Sequence, residues 1–323
     1  MKRPSEREII DLIHSVLGIS MKRTIQNDDV ATFPLGKNLL VLKCDMLVQG
    51  TDVPEQMEPW QIARKSIVSC LSDLSCKGVR PAATLLSLAI PRRFTESDVA
   101  GLARGFRIAE KEFGVNIIGG DTNEGRELVI DCCMVGIAKQ PMIVRRSGAK
   151  KRDLIVTSGP FGYSAAGLRI LTGKSRSAPS FRKKAVGVVL MPEPRLKFGY
   201  ALSRYATSAM DSSDGLAITL YELSRASRKR FVLDRLPTTQ EVRKFAKENG
   251  YDLEDLVLYG GEEYEIVATV PARHLERLRR LARAAGCTLF AIGSVEDGTG
   301  VYAKEGEKKR RIEKRGWEHL AAG

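Results

Sequence analysis

The sequence predicts a globular chain of two α/β or α+β domains. Three observations lead there. At 323 residues the chain is long for one domain and comfortable for two. Strand-like apolar runs alternate with helix-periodic segments over most of its length. The alternation pauses at a basic stretch, Arg145, Arg146, Ser147 and Gly148, and then begins afresh, which divides the chain into residues 1–144 and 145–323.

Residues 5–17 read as a helix and LLVLKCDML (39–47) as a strand. Pro59 suits the first position of a helix running to about Lys77. AATLLSLAIP reads as a strand, and Thr95 with Asp98 as a capping box opening a helix to about Phe113. VNIIGGD and ELVIDCCMVGIA are strands joined by a loop carrying Gly119, Gly120, Asp121 and Gly125. In the second half, strand DLIVTS leads through a glycine-rich turn into a helix. Helices near 194–206, 215–227 and 271–285 then alternate with strands FVLDRL, YEIVATV and LFAIGSV. The third of these helices is amphipathic, with Leu275, Leu278, Leu281 and Ala282 inward and arginines outward. KEGEKKRRIEKRG reads as a charged hairpin or tail.

Several function classes fall away. No apolar run is long enough for a bilayer, and the N-terminus lacks an apolar core of the signal-peptide kind, so the expected address is cytoplasmic. The cysteines, Cys44, Cys70, Cys76, Cys132, Cys133 and Cys287, form no CxxC, which argues for reduced thiols and against zinc. His14, His274 and His319 sit in no HExxH or triad-like setting. The net charge of +13 suits a nucleic-acid binder, a protein for small polyanions, or solubility alone; its basic clusters lack interleaved aromatics, which favours a solvated face. LTGKSR resembles the end of a Walker A loop, but Leu168 stands where the first glycine belongs and the segment leaves a helix. In SGPFGYSAAGL the glycines either expose N–H groups to an anion or allow tight helix–sheet packing.

The acids carry the chemistry. Asp28 and Asp29, Asp45 and Asp52, Asp73, Asp121, Asp211 and Asp214, and Glu262 and Glu263 recur where strands end or helices turn. Asp211 and Asp214 lie three residues apart in AMDSSDGL, in a chain with a basic excess. Carboxylates gathered from scattered loops suit Mg²⁺, a hard cation that usually arrives with substrate phosphates. Each acid also has a bland reading, since Asp before Gly commonly caps a helix or makes a turn. Asp73 resists that reading best, within an apolar helical stretch, and Asp28 reads as a cap.

NDDVA, CDMLVQGTD, SCLSDLSCKGVRP, SLAIP, GGDTNEG, RRSGAK, TSGPFGYSAAGL, MDSSDGL and YGGEEYE, in this order and spacing, resemble the thiamine-monophosphate kinase family. The resemblance runs from about residue 27 to 270, and RGWEHL resembles the family's closing motif. It implies a PurM-like fold of two α/β domains, a homodimer paired through the N-terminal sheets, and ATP bound through aspartate-held Mg²⁺ ions. The implied reaction converts ATP and thiamine monophosphate to ADP and thiamine diphosphate. By resemblance Asp29, Asp45, Asp73, Asp121, Asp211 and Asp214 take metal-ligand positions; Gly120, Asp121, Arg146 and Ser213 contact ATP; and Asp52, Glu262 and Trp317 face the thiamine end. Trp317 either stacks on a heteroaromatic ring or plugs the core. Three positions depart from the family pattern: Asn27 replaces a glycine, Lys43 and Cys44 replace a hydroxyl pair, and Asp52 replaces a frequent histidine.

The acceptor in such a reaction is a phosphate oxygen, largely ionised at neutral pH because its second pKa is about 6. No general base is expected. The rival readings are another ATP-dependent enzyme of the same superfamily, a basic nucleic-acid-binding protein, and an inactive dimeric scaffold; no membrane partner is expected.

Overall fold

The computed structural model describes residues 5–17, 28–139, 143–173 and 175–318. His319 and Asn27 lie outside them, as does Leu320 at the end of RGWEHL. The first half runs α1 (Glu6–Leu17), β1 (Ala31–Leu35), β2 (Asn38–Val48), α2 (Gln49–Asp52), α3 (Pro59–Cys76), β3 (Pro81–Pro91), α4 (Glu96–Phe113), β4 (Ile117–Gly125) and β5 (Val129–Lys139). The second runs β6 (Leu154–Thr157), α5 (Tyr163–Leu171), α6 (Pro179–Leu190), α7 (Leu196–Leu202), β7 (Ser208–Ser212), α8 (Leu216–Ser227), β8 (Arg230–Leu233), α9 (Gln240–Asn249), α10 (Leu253–Leu258) and β9 (Glu265–Val270). It closes with α11 (Leu275–Ala284), β10 (Phe290–Glu296), β11 (Gly300–Glu305) and β12 (Lys308–Arg311).

Among the described residues these strands form two sheets, ordered β1-β2-β5-β3-β4 and β12-β11-β8-β10-β6-β9-β7. Pairing is antiparallel except at β3/β4 and β8/β11. Alternation along β2 sends Leu39, Val41 and Leu47 inward; Leu39 and Val41 join Ile67, Leu71 and Leu74 of α3, and Leu47 joins Ile62 of α3 and Leu102 of α4. Burying each such side chain contributes about 1.5–3 kcal/mol. Pro59 opens α3, and the Thr95–Asp98 capping box opens α4. α3 packs on β2 and β5 at one side and on α7, β7 and β9 at the other, so one helix carries side chains into both halves. Part of the charge of the basic segments is met by the chain's own acids. In the β11–β12 hairpin Lys309 meets Glu296 and Arg310 meets Glu254 and Glu305, and on α11 Arg279 meets Glu276.

Two local expectations are corrected. Gly119, Gly120 and Asp121 lie within strand β4, not in a loop. Glycine reads as a loop former, but here β4 runs so close to β3 that a Cβ on Gly120 would stand 1.7 Å from the Leu86 carbonyl oxygen. The N–H groups at the start of α5 face a carboxyl group of the chain itself rather than an open anion site: Glu263 Oε1 accepts the Gly162 and Ser164 N–H groups at 2.6 and 3.1 Å.

Glu263 predicts a pH effect. Burial pushes its carboxyl up from 4.5 to about 8, although the two N–H donors pull it down. The folded chain therefore keeps a proton that the unfolded chain has lost, and stability falls as pH rises through the window from 4.5 to about 8. Glu263→Gln supplies the same accepting oxygen without titrating. The variant should match the parent near pH 5 and exceed it in melting temperature at pH 9. Parallel pH profiles in scanning calorimetry would clear Glu263 of the effect.

Candidate active site

Three elements converge on one acidic cluster. The alternation that buries Val41 and Leu47 also turns Lys43 and Asp45 to the inner face of β2. α3 brings Asp73, Cys76 and, just past its end, Lys77. β7 brings Asp211. Asp28 and Asp29 lie just before β1, and Arg146 in the link between the halves.

Lys77 is fully buried and its ammonium is saturated. Nζ lies 2.5 Å from Asp28 Oδ1, 2.5 Å from Asp29 Oδ2 and 2.7 Å from the Ala209 carbonyl oxygen. Arg146 donates Nε to Asp29 Oδ1 at 2.7 Å, pairs with it again through Nη2, and donates its backbone N–H to Asp28 Oδ2 at 2.9 Å. Asp28 is thus no mere cap but half of a carboxylate pair clamping a buried lysine. Burial would raise the Asp29 carboxyl; Lys77 and then Arg146 outweigh it and hold it at about 2.

The deeper acids behave oppositely. Burial, and then the charge of Asp211, drive the Asp73 carboxyl well above its ordinary range, against Lys43. Burial and the charge of Asp29 push Asp211 up to about 6, again against Lys43, and Asp211 hydrogen bonds with Asp73. Asp45 is also raised, chiefly by burial. Lys43 Nζ stands 2.6 Å from Asp73 Oδ2 and 3.9 Å from Asp45 Oδ2. Among the described residues this gathers Asp28, Asp29, Asp45, Asp73 and Asp211 around Lys43, Lys77 and Arg146. The excess of buried carboxylate favours proton uptake, and a divalent cation relieves the same repulsion. Oxygen donors of this kind fit Mg²⁺. Asp29, Cys76 and Asp211 each offer a ligand atom within 4.8 Å of one another, but both Asp29 oxygens are already engaged by Lys77 and Arg146.

A second group forms beside it. Lys65 Nζ, fully buried on α3, meets Glu262 Oε1 at 2.5 Å and the Asp52 carbonyl oxygen at 2.6 Å. The Asp52 carboxylate accepts the Val48 N–H at 2.7 Å. Glu262 holds a left-handed φ of 60°, and its N–H donates to the Ser213 carbonyl oxygen at 2.6 Å. A non-glycine residue held there is strained, a common property of ligand-contacting loops. Trp317 is 52% exposed, which removes the core-plug reading. Its backbone N–H donates to the Asp214 carbonyl oxygen at 3.0 Å, and its Cβ lies against Gly261.

The cap reading of Asp211 also fails. The residue that precedes α8 is Gly215, with φ 107° and no side-chain cap. Asp211 lies in β7 before that helix, and Asp214 is half-buried beside Trp317. Asp121 and Gly120 stand apart from this cluster, exposed on β4. Residue by residue, sequence reasoning did not single out Lys65 or Lys77. A basic residue at a helix end normally complements the helix dipole in solvent, so the burial of Lys77 had no local signal.

Residues 27–138 match the family described as AIR synthase related protein, N-terminal domain, and residues 152–305 match its C-terminal domain. A thiamine-monophosphate kinase of Nitrosopumilus maritimus is 40% identical over 320 residues, spanning 99% of this chain and 100% of its own. The chain belongs to the thiamine-monophosphate kinase family. A family member from Pyrococcus horikoshii is 36% identical over 298 residues, covering 92% of this chain and 91% of its own. The solved structure of AaThiL complexed with AMPPCP and TMP matches at a TM-score of 0.87 and 26% identity, over 99% of each chain. A HypE–HypF complex matches at a TM-score of 0.70 and 21% identity, a likeness of fold. The PurM-like fold expected from the motif series therefore holds for this chain.

Proposed function

We propose that this chain transfers the γ-phosphoryl group of ATP to thiamine monophosphate, releasing ADP and thiamine diphosphate. The observation that carries the reading is the juxtaposition of two groups on α3. An oxygen-rich acid cluster lies around Asp73, and Glu262, held by Lys65, follows Gly261, against which the exposed Trp317 sets its Cβ. The first suits metal-bound triphosphate; the second suits a cationic heteroaromatic ring.

Asp73, Asp211 and Asp45 would hold Mg²⁺, joined by Asp214 and, by family resemblance, Asp121. Mg²⁺ supplies charge neutralisation between two polyanions and a template for in-line transfer. The chain's own residues do the rest. Lys77 and Asp29 fix Arg146 at the mouth of the cluster, where its charge faces phosphate; Gly120 and Ser213 are the further ATP contacts we assign. Glu262, held by Lys65, faces the thiazolium, with Asp52 and Trp317 beside it. The acceptor oxygen arrives ionised, so no side chain needs to remove a proton.

The division at 144/145 is part of this reading, and it falls between β5 and β6. So is a homodimer through the N-terminal sheet. Phe33, Met46, Leu85 and Ile137 are exposed on the face turned away from α3, an apolar patch of the kind that marks association. A monomer by light scattering at micromolar concentration would remove this part. Among the described residues no helix is long and apolar enough to cross a membrane, and no cysteine is paired. Unpaired cysteines suit the cytoplasm, which cell fractionation tests.

Incubation with ATP, Mg²⁺ and thiamine monophosphate should yield thiamine diphosphate. Thiamine itself should be a poor acceptor, since its hydroxyl needs a base. With γ-labelled ATP alone the protein should stay unlabelled, and a stable label on an aspartate or serine would overturn direct transfer.

A further inference from the structure

Lys43 is a cation set inside a cluster built to hold cations. Its Nζ is 2.6 Å from Asp73 Oδ2 and 3.9 Å from Asp45 Oδ2, and the charge of Asp211 acts on it as well. Asp28 and Asp29 have Lys77 and Arg146 as partners, but Asp45, Asp73 and Asp211 face Lys43. We propose that Lys43 is a resident counter-ion that occupies the acid cluster in the absence of nucleotide and competes there with divalent metal.

Three features support this role. A lysine ammonium is a compact point charge on a flexible four-carbon stem, so it can enter and leave a carboxylate group without moving backbone. The Lys43 side chain keeps 22% exposure, which leaves it a route to solvent that Lys77, fully buried, lacks. A divalent ion bound to Asp73 and Asp211 would lie close to this ammonium, and like charges at such range repel strongly in a low-dielectric site. Metal therefore binds the free enzyme weakly. Bound triphosphate brings its own oxygens to the metal and offers the ammonium a second anionic partner. The inference rests on the kinase reading for that last step only.

The test uses Mn²⁺ alone, without nucleotide, titrated into the full chain and followed by electron paramagnetic resonance. Lys43→Met keeps the stem and removes the charge. Lys43→Gln serves if the first variant folds poorly, and circular dichroism checks both. The variant should bind Mn²⁺ about tenfold or more tightly than the parent, and Mn²⁺ should raise its melting temperature further. Asp211→Asn in the Lys43→Met background should abolish the gain, which places it in this cluster. Equal affinities in parent and variant, or no binding by either, overturn the proposal. Because the readout needs no turnover, a failed kinase assay beside a clear Mn²⁺ difference would remove the functional reading and leave this one standing.

Discussion

Asp211→Asn should lose about 10²–10³ or more in turnover while folding at least as well as the parent. The two effects have opposite signs for one reason. In the free protein the Asp211 carboxylate is buried beside Asp29 and Asp73, and burial with the Asp29 charge lifts its pKa to about 6. Its folded pKa lies above its ordinary 3.8, so the ionised group costs stability as pH rises from 3.8 through about 6. Asparagine is nearly the same shape and carries no charge, so the variant should gain on the parent at neutral pH. In the working enzyme that charge stabilises a metal–phosphate assembly, and removing one such preorganised electrostatic partner typically costs about 10²–10³ in rate. A helix cap would give the reverse pattern, because asparagine caps well and activity would survive. Steady-state kinetics at saturating Mg²⁺, beside thermal melts with and without Mg²⁺, separate the two. Full turnover in the variant would take Asp211 out of the site.

How much of this was legible beforehand follows from the range of each interaction. The strand alternation of β2, the Thr95–Asp98 box and the proline start of α3 are local, so sequence alone placed them. Asp73 was legible as an anomaly, an acid inside an apolar helix, and it does lie at the centre of the cluster. The role of Asp28 was not legible, because a pair of aspartates before a strand looks the same whether or not a buried lysine arrives from α3. Lys43 was legible only as a departure from family pattern; its meaning appears when β2 and α3 are packed and its ammonium meets Asp73. Gly120 was misread for a related cause. Its closeness to Leu86 depends on the parallel pairing of β3 with β4, a contact across more than thirty residues of sequence.

Lys77→Met should be the most destabilising change, by about 3–5 kcal/mol, the usual cost of breaking a buried charge pair from one side. The lysine has no exposed surface, and its three N–H donors go to Asp28, Asp29 and the Ala209 carbonyl oxygen. Methionine fills much of the space, so the loss is not one of packing. It lies in two carboxylates left in low dielectric with only Arg146 to answer them, and in an unpaired carbonyl on β7. The fold offers a check on this account. If stranded charge is the cause, Asp29→Asn added to Lys77→Met should recover part of the loss, because it removes one of the two orphaned anions. The double-mutant cycle then shows a coupling well above the few tenths expected of independent sites. Urea unfolding of the four proteins at pH 7 measures it. A loss under about 1 kcal/mol in Lys77→Met, or strict additivity in the cycle, would mean that water or a shift of α3 relieves the pair. The lysine would then not be what joins the two halves at this point. Activity should fall with stability, since Asp29 is the partner that fixes Arg146, and Asp29→Asn alone should raise the KM for ATP more than it lowers kcat.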